Sequence, residues 1–535
     1  MKFNVFLTIS FTVITLSALG QDFTRYDSLR GSLHSMRAYD VSFYDLHLRV
    51  NPERRSISGY NKIYFKSTDT LIRMQVDLFA NMNVDSILSA KTIYSFERDS
   101  NFIFINFKQA LTEGEENILT IYYSGQPQVA AKPPWDGGFV WSTDSLGRPW
   151  IGVAVEGVGA SLWWPNKDHI SEKPDSMRMS FEVPSQLTCV ANGRLREKKD
   201  LQDGYTRFVW FVNNPINNYN VTLNIAHYAF FDDLYPGKSG NLDLHYHVLD
   251  YNLSKAKKHF RQVRTLMDSF EKLFGPYPFY EDSYKLVETP YWGMEHQSCI
   301  AYGNNYKTDY FDFDYIILHE SGHEWFGNRV TAADHGELWI HEAFTTYSEA
   351  LYIENRFGYK NMMKYLHHQK SLIMNNEPIL GPLGVNYHHW AGADMYYKGA
   401  WMLHTIRRVL DNDALWFDIM RGIPTDLGGT IVNTQEIIAY FNKKSGQDLG
   451  PVFMHYLTKT DPPKLIYSME KKKNKTFLRF RWETEDKDFN MPVDILVNKK
   501  EKIRIHPSSK TKRREIPVKK IKSVEVDDGF YINVN

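Results

Sequence analysis

The chain has 535 residues, of which 43% are hydrophobic and 24% are charged. This length is too great for a single core, so a folded protein of about three or four domains is expected. The 63 basic and 63 acidic residues give a formal net charge of zero. This balance argues against a polyanion-binding protein, and we predict no nucleic-acid partner.

Residues 1–20 have the pattern of a secretory signal peptide. Lys2 precedes an apolar run, and Ala18 and Gly20 form the small-x-small pattern of a signal-peptidase site. A membrane anchor is the alternative, but the run is short for a span and hydroxyl residues interrupt it. We therefore predict an exported protein, periplasmic or secreted, with no stable membrane span after removal of the signal.

Residues 21–235 are predicted to form an N-terminal β domain. Apolar and polar residues alternate in many short segments, such as Ile57 to Phe65 and Phe208 to Val212, and turn signals separate them. We expect an antiparallel β saddle or sandwich. A stretch rich in Gly, Pro and Trp, residues 132–150, is predicted to be a loop within it.

Residues 236–460 are predicted to be mostly helical. Apolar residues at helical spacing predict one helix from Ser254 to Phe274, which Gly275 and Pro276 end. After a hinge at Asp461-Pro462-Pro463, strand patterning returns, so residues 461–535 are predicted to form a small C-terminal β-sandwich. The predicted fold class is therefore a multidomain α+β protein.

Two cysteines are present, Cys189 and Cys299. They could form one disulfide or remain two buried thiols, and the sequence leaves both possibilities open. The fold does not depend on a disulfide framework in either case.

The central feature is the pattern His319-Glu320-x-x-His323. Two imidazoles four residues apart stand on one face of a helix, where both can reach a single metal ion. Glu342, on a following amphipathic segment, is a candidate third ligand. Two His and one Glu would leave the fourth zinc position open, as a catalytic zinc requires. The alternative is a pair of hydrogen-bonded histidines in a core helix.

Three motifs together resemble the M1 family of zinc aminopeptidases. The first is His319-Glu320-x-x-His323 with Glu342 and the flanking Trp325-Phe326-Gly327-Asn328. The second, Gly293-Met294-Glu295-His296, resembles the family's exopeptidase signature Gly-x-Met-Glu-Asn, with His296 in place of Asn. The third, Tyr396-Tyr397-Lys398-Gly399, matches the pattern around the family's catalytic tyrosine. The resemblance covers roughly residue 39 to the end of the chain.

The resemblance implies a thermolysin-like catalytic domain and one Zn²⁺ per chain, held by His319, His323 and Glu342. Because Glu320 lies between the two ligands, we expect it to act as the general base. The resemblance assigns to Tyr396 the stabilisation of the oxyanion. The expected activity is removal of N-terminal residues from peptides with a free amine.

The resemblance also gives the substrate-binding residues. Glu295 and Glu156 are expected to bind the free α-amine of the peptide. Gly293 and Met294 are expected to offer a strand edge to the peptide backbone.

The alternatives are a zinc endopeptidase, a bifunctional epoxide hydrolase and aminopeptidase on the same scaffold, and a non-enzymatic binding protein. The sequence departs from the family at His296 and at Glu324, where many members have Gln. No segment resembles the family's common C-terminal helical domain, from which we expect an open cleft that accepts longer peptides. The oligomeric state is left open.

Overall fold

The computed structural model describes residues 23–90, 92–309, 311–473, 475–518 and 520–535. The predicted signal peptide, residues 1–20, lies outside the described residues. Its removal and the exported location therefore stay predictions.

The N-terminal part is built from strands that follow a short helix, α1 (Arg25–Gly31). The strands are β1 (Tyr39–Asn51), β2 (Ser56–Ser67), β3 (Leu71–Asp77), β4 (Met82–Ser89), β5 (Thr92–Tyr94), β6 (Phe96–Asp99), β7 (Phe102–Leu111), β8 (Glu116–Gly125), β9 (Gly138–Thr143), β10 (Pro149–Ala154), β11 (Ser176–Pro184), β12 (Thr188–Ala191), β13 (Arg194–Asp200), β14 (Tyr205–Val212) and β15 (Leu223–Ala226).

These strands form three sheets. The largest has the order β13-β14-β11-β1-β2-β8-β4-β5, and the others are β3-β7-β6 and β12-β15-β10-β9. Side chains alternate between buried and partly exposed along β14, so one face of the strand enters the core. In the largest sheet β1 and β11 pair in parallel, while the other strand pairs are antiparallel.

The prediction of a loop over residues 132–150 is wrong in part. The stretch contains β9, which pairs with β10 in an antiparallel hairpin. Asp144 closes the turn between them, since its Oδ1 accepts hydrogen bonds from the backbone N–H groups of Leu146 and Arg148, each at 2.9 Å. The composition of residues 132–150 indicated a loop because turn-forming residues lie close to the strand residues in this stretch.

A five-stranded sheet connects the β part to the helical region. Its strands are β16 (Tyr228–Gly237), β17 (Gly240–Leu249), β18 (Tyr284–Glu288), β19 (Gly293–Met294) and β20 (Ile300–Tyr302), in the order β16-β17-β18-β20-β19. The predicted domain boundary at residue 235 therefore falls inside β16. The two-residue strand β19 lies at the edge of this sheet, next to the helix that carries His319 and Glu320.

The remaining region up to residue 458 is mostly helical. Its helices are α2 (Leu253–His259), α3 (Gln262–Phe274), α4 (Tyr315–Gly322), α5 (Trp339–Phe357), α6 (Tyr359–Lys370), α7 (Asp394–Leu410), α8 (Asp413–Asp426), α9 (Thr434–Ser445) and α10 (Gly450–Thr458). Two short strands, β21 (Thr331–Ala332) and β22 (Ile431–Val432), pair in parallel among them.

The single helix predicted from Ser254 to Phe274 is two helices in the structure, α2 and α3. The break falls at Phe260 and Arg261. The ring of Phe260 is buried and packs against Tyr246 and Tyr302, with centroids 5.4 and 5.0 Å away. The apolar spacing continues across the break because both helices face the same core, which is why the sequence does not reveal it.

The C-terminal part consists of two small sheets. Its strands are β23 (Lys464–Lys472), β24 (Lys475–Glu483), β25 (Val493–Val497), β26 (Glu501–Ile505), β27 (Lys512–Ile516), β28 (Val524–Val526) and β29 (Asn533–Val534). The sheets have the orders β27-β24-β23-β29 and β26-β25-β28. The predicted boundary at residue 460 falls between α10 and β23.

The multidomain α+β fold class is confirmed: an N-terminal β part precedes a largely helical region. Both cysteines are buried free thiols, which answers the question that the sequence left open. Among the described helices, each is too short or too polar to cross a membrane.

Candidate metal centre and substrate site

Helix α4 presents the two histidines of the motif. Asp314 caps the start of the helix, since its side chain accepts from the backbone N–H of Ile316 at 3.0 Å. The helix ends at Gly322, and His323 continues in right-handed helical conformation as the C-cap residue. The spacing of His319 and His323 is therefore helical, and both side chains are buried on one face of the helix.

Helix α5 brings the third predicted ligand to the same point. Glu342 lies in its first turn, and its Oε2 is 3.6 Å from His319 Nε2 and 3.5 Å from His323 Nε2. The two Nε2 atoms are 3.2 Å apart. Ligands about 2.0–2.1 Å from a tetrahedral zinc are separated by roughly 3.3 Å, so the three atoms fit one such ion.

The surroundings of Glu342 Oε2 also support a bound metal ion at this point. Glu342 Oε2 is buried and receives no hydrogen bond from the described part of the chain. A buried carboxylate oxygen of this kind needs a cation or a donor. The three residues also form one of the clusters whose donor atoms lie within 4.8 Å of one another.

Hydrogen bonds on the far side of each imidazole fix which nitrogen faces the ligand cluster. His319 Nδ1 donates to Glu349 Oε1 at 2.6 Å, and His323 Nδ1 donates to the carbonyl of Phe326 at 3.0 Å. In the neutral tautomer that these hydrogen bonds favour, each Nε2 carries the lone pair that a metal ion needs. Glu349 Oε2 also accepts from Tyr365 Oη at 2.5 Å and Gln369 Nε2 at 3.1 Å.

Glu320 is held against the edge strand β19. A Cβ atom on Gly293 would stand 2.5 Å from Glu320 Oε1 and 2.8 Å from Ile316 Cγ2. Glycine is therefore required at position 293 for the strand to approach the carboxylate. Burial raises the pKa of Glu320 to about 8, against the lowering effect of His319. Met294, the other residue of β19, is also buried.

Glu295 and Glu156 meet on the side of the cluster formed by His323 and Glu342. Donor atoms of Glu156, Glu295 and Glu342 lie within 4.8 Å of one another, as do those of Glu295, Glu320 and His323. Burial, followed by the nearby Glu295 and Glu342 charges, raises the pKa of Glu156 well above its usual value. No Lys or Arg that the structure describes forms an ion pair with either carboxylate. Two buried carboxylates without a basic partner favour the binding of a cationic ligand.

Two residues that the sequence reasoning missed hold Glu295 in place. Tyr219 Oη donates to Glu295 Oε1 at 3.1 Å, and Asn328 Nδ2 donates to the backbone carbonyl of Glu295 at 2.9 Å. Asn328 belongs to the motif that follows His323, so its position was visible in the sequence. Tyr219 lies 76 residues before Glu295, and no local signal marks it.

Tyr396 lies in the first turn of α7, and its ring centroid is 6.1 Å from that of His319. The last residue of the Tyr-x-Lys-Gly motif explains this proximity. A Cβ on Gly399 would stand 2.5 Å from Ala343 Cβ, so glycine lets α7 approach α5 beside Glu342. Lys398 anchors the same helix by donating to the carbonyls of Lys459 and Thr460.

The two departures from the family pattern have different surroundings. Glu324 turns to the segment before α4, where it accepts from Ser298 N at 2.8 Å and from Tyr277 Oη at 3.3 Å. His296 is buried, and neither ring nitrogen has a hydrogen-bond partner among the described residues. Burial lowers the pKa of His296 to about 3, so this ring is neutral.

A buried His-Glu-x-x-His pair joined by a glutamate from the next helix defines the class of zinc metallopeptidases. Within that class, residues 262–456 match the model of the Peptidase family M1 domain. This match confirms the predicted resemblance to peptidase family M1.

Curated relatives agree with this assignment. Mouse aminopeptidase B is 30% identical over 178 residues, which cover 32% of this chain and 25% of that protein. A leucyl aminopeptidase of Saccharolobus solfataricus is 21% identical over 525 residues, 92% of this chain and 63% of that protein. The chain thus spans about a quarter of the length of the mouse relative.

Solved structures share the fold. An M1 zinc metallopeptidase mutant from Deinococcus radiodurans, bound to a Tyr-Ser-Ala substrate, aligns with a TM-score of 0.66 at 20% identity, over 79% of this chain and 94% of that chain. Legionella pneumophila aminopeptidase A, in complex with aspartic acid, aligns with a TM-score of 0.78 at 16% identity. The alignment covers 93% of this chain and 60% of that chain.

Proposed function

We propose that this protein is a zinc-dependent aminopeptidase that releases N-terminal residues from peptides. One observation carries the proposal: the carboxylates of Glu295 and Glu156 lie beside the ligand cluster without a basic side chain as partner among the described residues. A free α-amine is the cation that such a pair would bind next to the scissile bond. The relatives named above support the same activity.

His319, His323 and Glu342 would hold one zinc ion per chain. When bound, zinc supplies Lewis-acid polarisation of the scissile carbonyl and lowers the pKa of a coordinated water to about 7. Glu342 Oε2, which lacks a hydrogen-bond partner among the described residues, supports this assignment.

Glu320 would act as the general base. Its carboxylate is buried and faces Gly293. Gly293 belongs to β19, the strand on which the peptide would lie. From there Glu320 would accept a proton from the attacking water and deliver it to the amine of the leaving peptide. Its raised pKa suits a group that takes and returns a proton near neutral pH.

Tyr396 would stabilise the oxyanion. Its ring lies beside His319 at the start of α7, and burial raises the pKa of its hydroxyl well above the usual value. The hydroxyl therefore stays protonated and can donate a hydrogen bond to the tetrahedral oxygen.

The peptide would bind as an added strand on β19. The outer edge of Gly293 and Met294 gives a hydrogen-bonding register for an extended backbone, and Glu295 directly follows that edge. The register would place the peptide's amine at Glu295 and its first carbonyl at the ligand cluster. This geometry favours an exopeptidase that measures from the amino end.

A panel of aminoacyl fluorogenic substrates tests the proposal, with and without a chelator and beside N-acetylated controls. We expect hydrolysis of free-amine substrates, loss of activity with the chelator, and no hydrolysis of acetylated substrates. Equal turnover of acetylated peptides would instead identify an endopeptidase. Turnover of an epoxide beside the peptides would identify the bifunctional alternative.

A further inference from the structure

The two carboxylates proposed to bind the substrate amine are held in different ways. Glu295 accepts a hydrogen bond from Tyr219, as described above. Glu156 Oε1 is buried and has no hydrogen-bond partner among the described residues. The position of the Glu156 carboxylate therefore depends on the backbone that carries it. This backbone follows β10 and comprises residues 155–161, which we call the Glu156 turn.

The side chain of Arg30, in the last turn of α1, lies directly against the Glu156 turn. Gly159 N donates to the carbonyl of Val155 at 2.6 Å, which closes the backbone around Glu156. A Cβ atom on Gly159 would stand 1.5 Å from Arg30 Nη2, and the φ angle of Gly159 is +92°. Glycine is required at position 159, both for this backbone conformation and for the approach of the guanidinium.

Asp168 joins Arg30 to the Glu156 turn. Arg30 Nη2 donates to Asp168 Oδ2 at 2.5 Å, and Arg30 Nη1 donates to Ser161 Oγ at 3.3 Å. The same oxygen of Asp168 accepts from Ser161 N at 2.7 Å, and Asp168 N donates to Asp77 Oδ2 at 2.9 Å. The side chains of Arg30 and Asp168 are only 12% and 7% exposed. Loss of the guanidinium would leave a buried charge without its partner, so the turn should shift.

The backbone of Arg30 is fixed from two sides. On the side of the β part, the carbonyl of Arg30 accepts from Arg37 Nη1 at 2.7 Å, and Arg37 forms a buried ion pair with Asp77 of β3. On the side of the helical region, a Cβ atom on Gly31 would stand 2.2 Å from Asn386 N. Helix α1 thus lies between the N-terminal β part and a loop of the helical region, which fixes the point from which the Arg30 side chain starts.

Building on the proposed aminopeptidase function, we infer that Arg30 is a positioning residue for the binding of the substrate amine. Acting through Asp168, its guanidinium holds the Glu156 turn in the conformation that places Glu156 beside Glu295 and Glu342. A displacement of about 1 Å at such a group can cost on the order of 100-fold in rate. Because the amine is bound both before and during the reaction, a displaced Glu156 should raise KM and leave kcat unchanged.

Variants of the full-length zinc enzyme test the inference on one free-amine aminoacyl fluorogenic substrate. Arg30→Met should raise KM on the order of tenfold, with kcat and zinc content near the wild-type values. Arg30→Lys keeps a charge beside Asp168 but lacks the planar fork that also reaches Ser161, so it should restore part of the loss. Arg25→Met is the matched control on the same helix. Arg25 pairs with Asp99 at the surface, and this variant should leave KM unchanged.

A double-mutant cycle distinguishes the positioning of Glu156 from a general effect on the fold. Glu156→Gln should lower kcat/KM on the order of 100-fold, because one partner of a buried charge pair is lost. In the Glu156→Gln background, Arg30→Met should change KM by less than about twofold, since its effect passes through a carboxylate that is already absent. The thermal unfolding midpoint of each variant reports a change in stability separately.

The outcomes separate the inference from the proposed function. If the wild-type enzyme hydrolyses no free-amine substrate, the aminopeptidase assignment fails and the inference fails with it. If the wild-type enzyme is active but Arg30→Met leaves KM unchanged, only the role of Arg30 is overturned. That role is also overturned if Arg30→Met raises KM equally with and without the Glu156 carboxylate, or if kcat falls while KM stays constant. If Arg30→Met does not fold, Arg30→Lys replaces it in the cycle and is judged by the same criterion.

Discussion

The predicted metal ligands come from one short stretch of the chain, whereas the groups proposed to bind the substrate amine come from distant ones. His319, His323, Glu342 and the supporting Glu349 all lie on two consecutive helices, α4 and α5. Glu295 follows the edge strand of a sheet, and its two partners come from elsewhere: Glu156 from the turn after β10, and Tyr219 from the segment before β15.

The two ends of the site therefore depend on different parts of the fold. The spacing of the metal ligands follows from helical geometry and needs only that α4 and α5 pack together. The amine-binding end exists only when the N-terminal β part and the edge strand are correctly docked. Substitutions in the first group should therefore affect all hydrolysis or the bound metal, and those in the second should affect the need for a free amine.

The largest expected effect is at the general base. Glu320→Gln should lower kcat by about 1,000-fold or more, because the amide accepts no proton from water. The zinc content should stay unchanged, since Glu320 lies outside the ligand set of His319, His323 and Glu342. The matched change Glu324→Gln alters a carboxyl group whose partners are Ser298 and Tyr277, and it should cost far less. Wild-type turnover in Glu320→Gln would contradict the assignment.

Loss of the oxyanion donor should come next. Tyr396→Phe should reduce kcat by roughly 100- to 1,000-fold, with KM and zinc content near the wild-type values. Tyr397→Phe is the paired comparison, because it removes the neighbouring hydroxyl on the same helix and keeps the ring. Steady-state kinetics on one free-amine substrate distinguishes the two variants. If Tyr397→Phe has the larger effect, the donor is Tyr397.

At the amine-binding end, Glu295→Gln should lower kcat/KM for free-amine peptides by roughly 100-fold, because one partner of a buried charge pair is lost. Zinc content should stay at the wild-type level, since Glu295 lies outside the ligand set of His319, His323 and Glu342. The measurement is kcat/KM for one free-amine peptide, made together with zinc content. An unchanged kcat/KM in this variant would show that the amine binds elsewhere.

Glu349, which accepts a hydrogen bond from His319, should contribute to the zinc affinity. Glu349→Gln should weaken zinc binding by about 10- to 100-fold, since the carboxylate that orients His319 Nδ1 is lost. Competition with a chelator measures the affinity directly and without a substrate. Glu354→Gln is the control on the same helix, because Glu354 pairs with Arg407 instead of a ligand. Equal zinc affinity of the wild-type protein and Glu349→Gln would rule out the supporting role.

The smallest effect is expected at Tyr219. Tyr219→Phe removes one hydrogen bond to Glu295, which is worth about fivefold in kcat/KM for free-amine peptides. Zinc affinity should not change, in contrast to Glu349→Gln. A variant that loses zinc instead would show that the two ends of the site depend on each other.

The sequence was most informative where function and local geometry coincide. The His319 and His323 pair could be predicted because its spacing is set within one helical turn, and Glu342 because it completes the family motif. Glu349 was missed, although it lies seven residues after Glu342, two turns along the same face of α5. The break at Phe260 was missed because apolar spacing reports burial and not the continuity of a helix.

The sequence by itself carried the family motifs and, through them, the predicted metal ligands and proton-transfer residue, since each motif depends on spacing along a short stretch of the chain. The tertiary structure decided which distant groups meet them. It joins Tyr219 to Glu295, turns Tyr365 toward Glu349 and places Arg30 against the turn that carries Glu156. Contacts between residues far apart in sequence arise only when whole elements pack, because the folding of the core, and not local preference, compensates the entropy of closing such long loops.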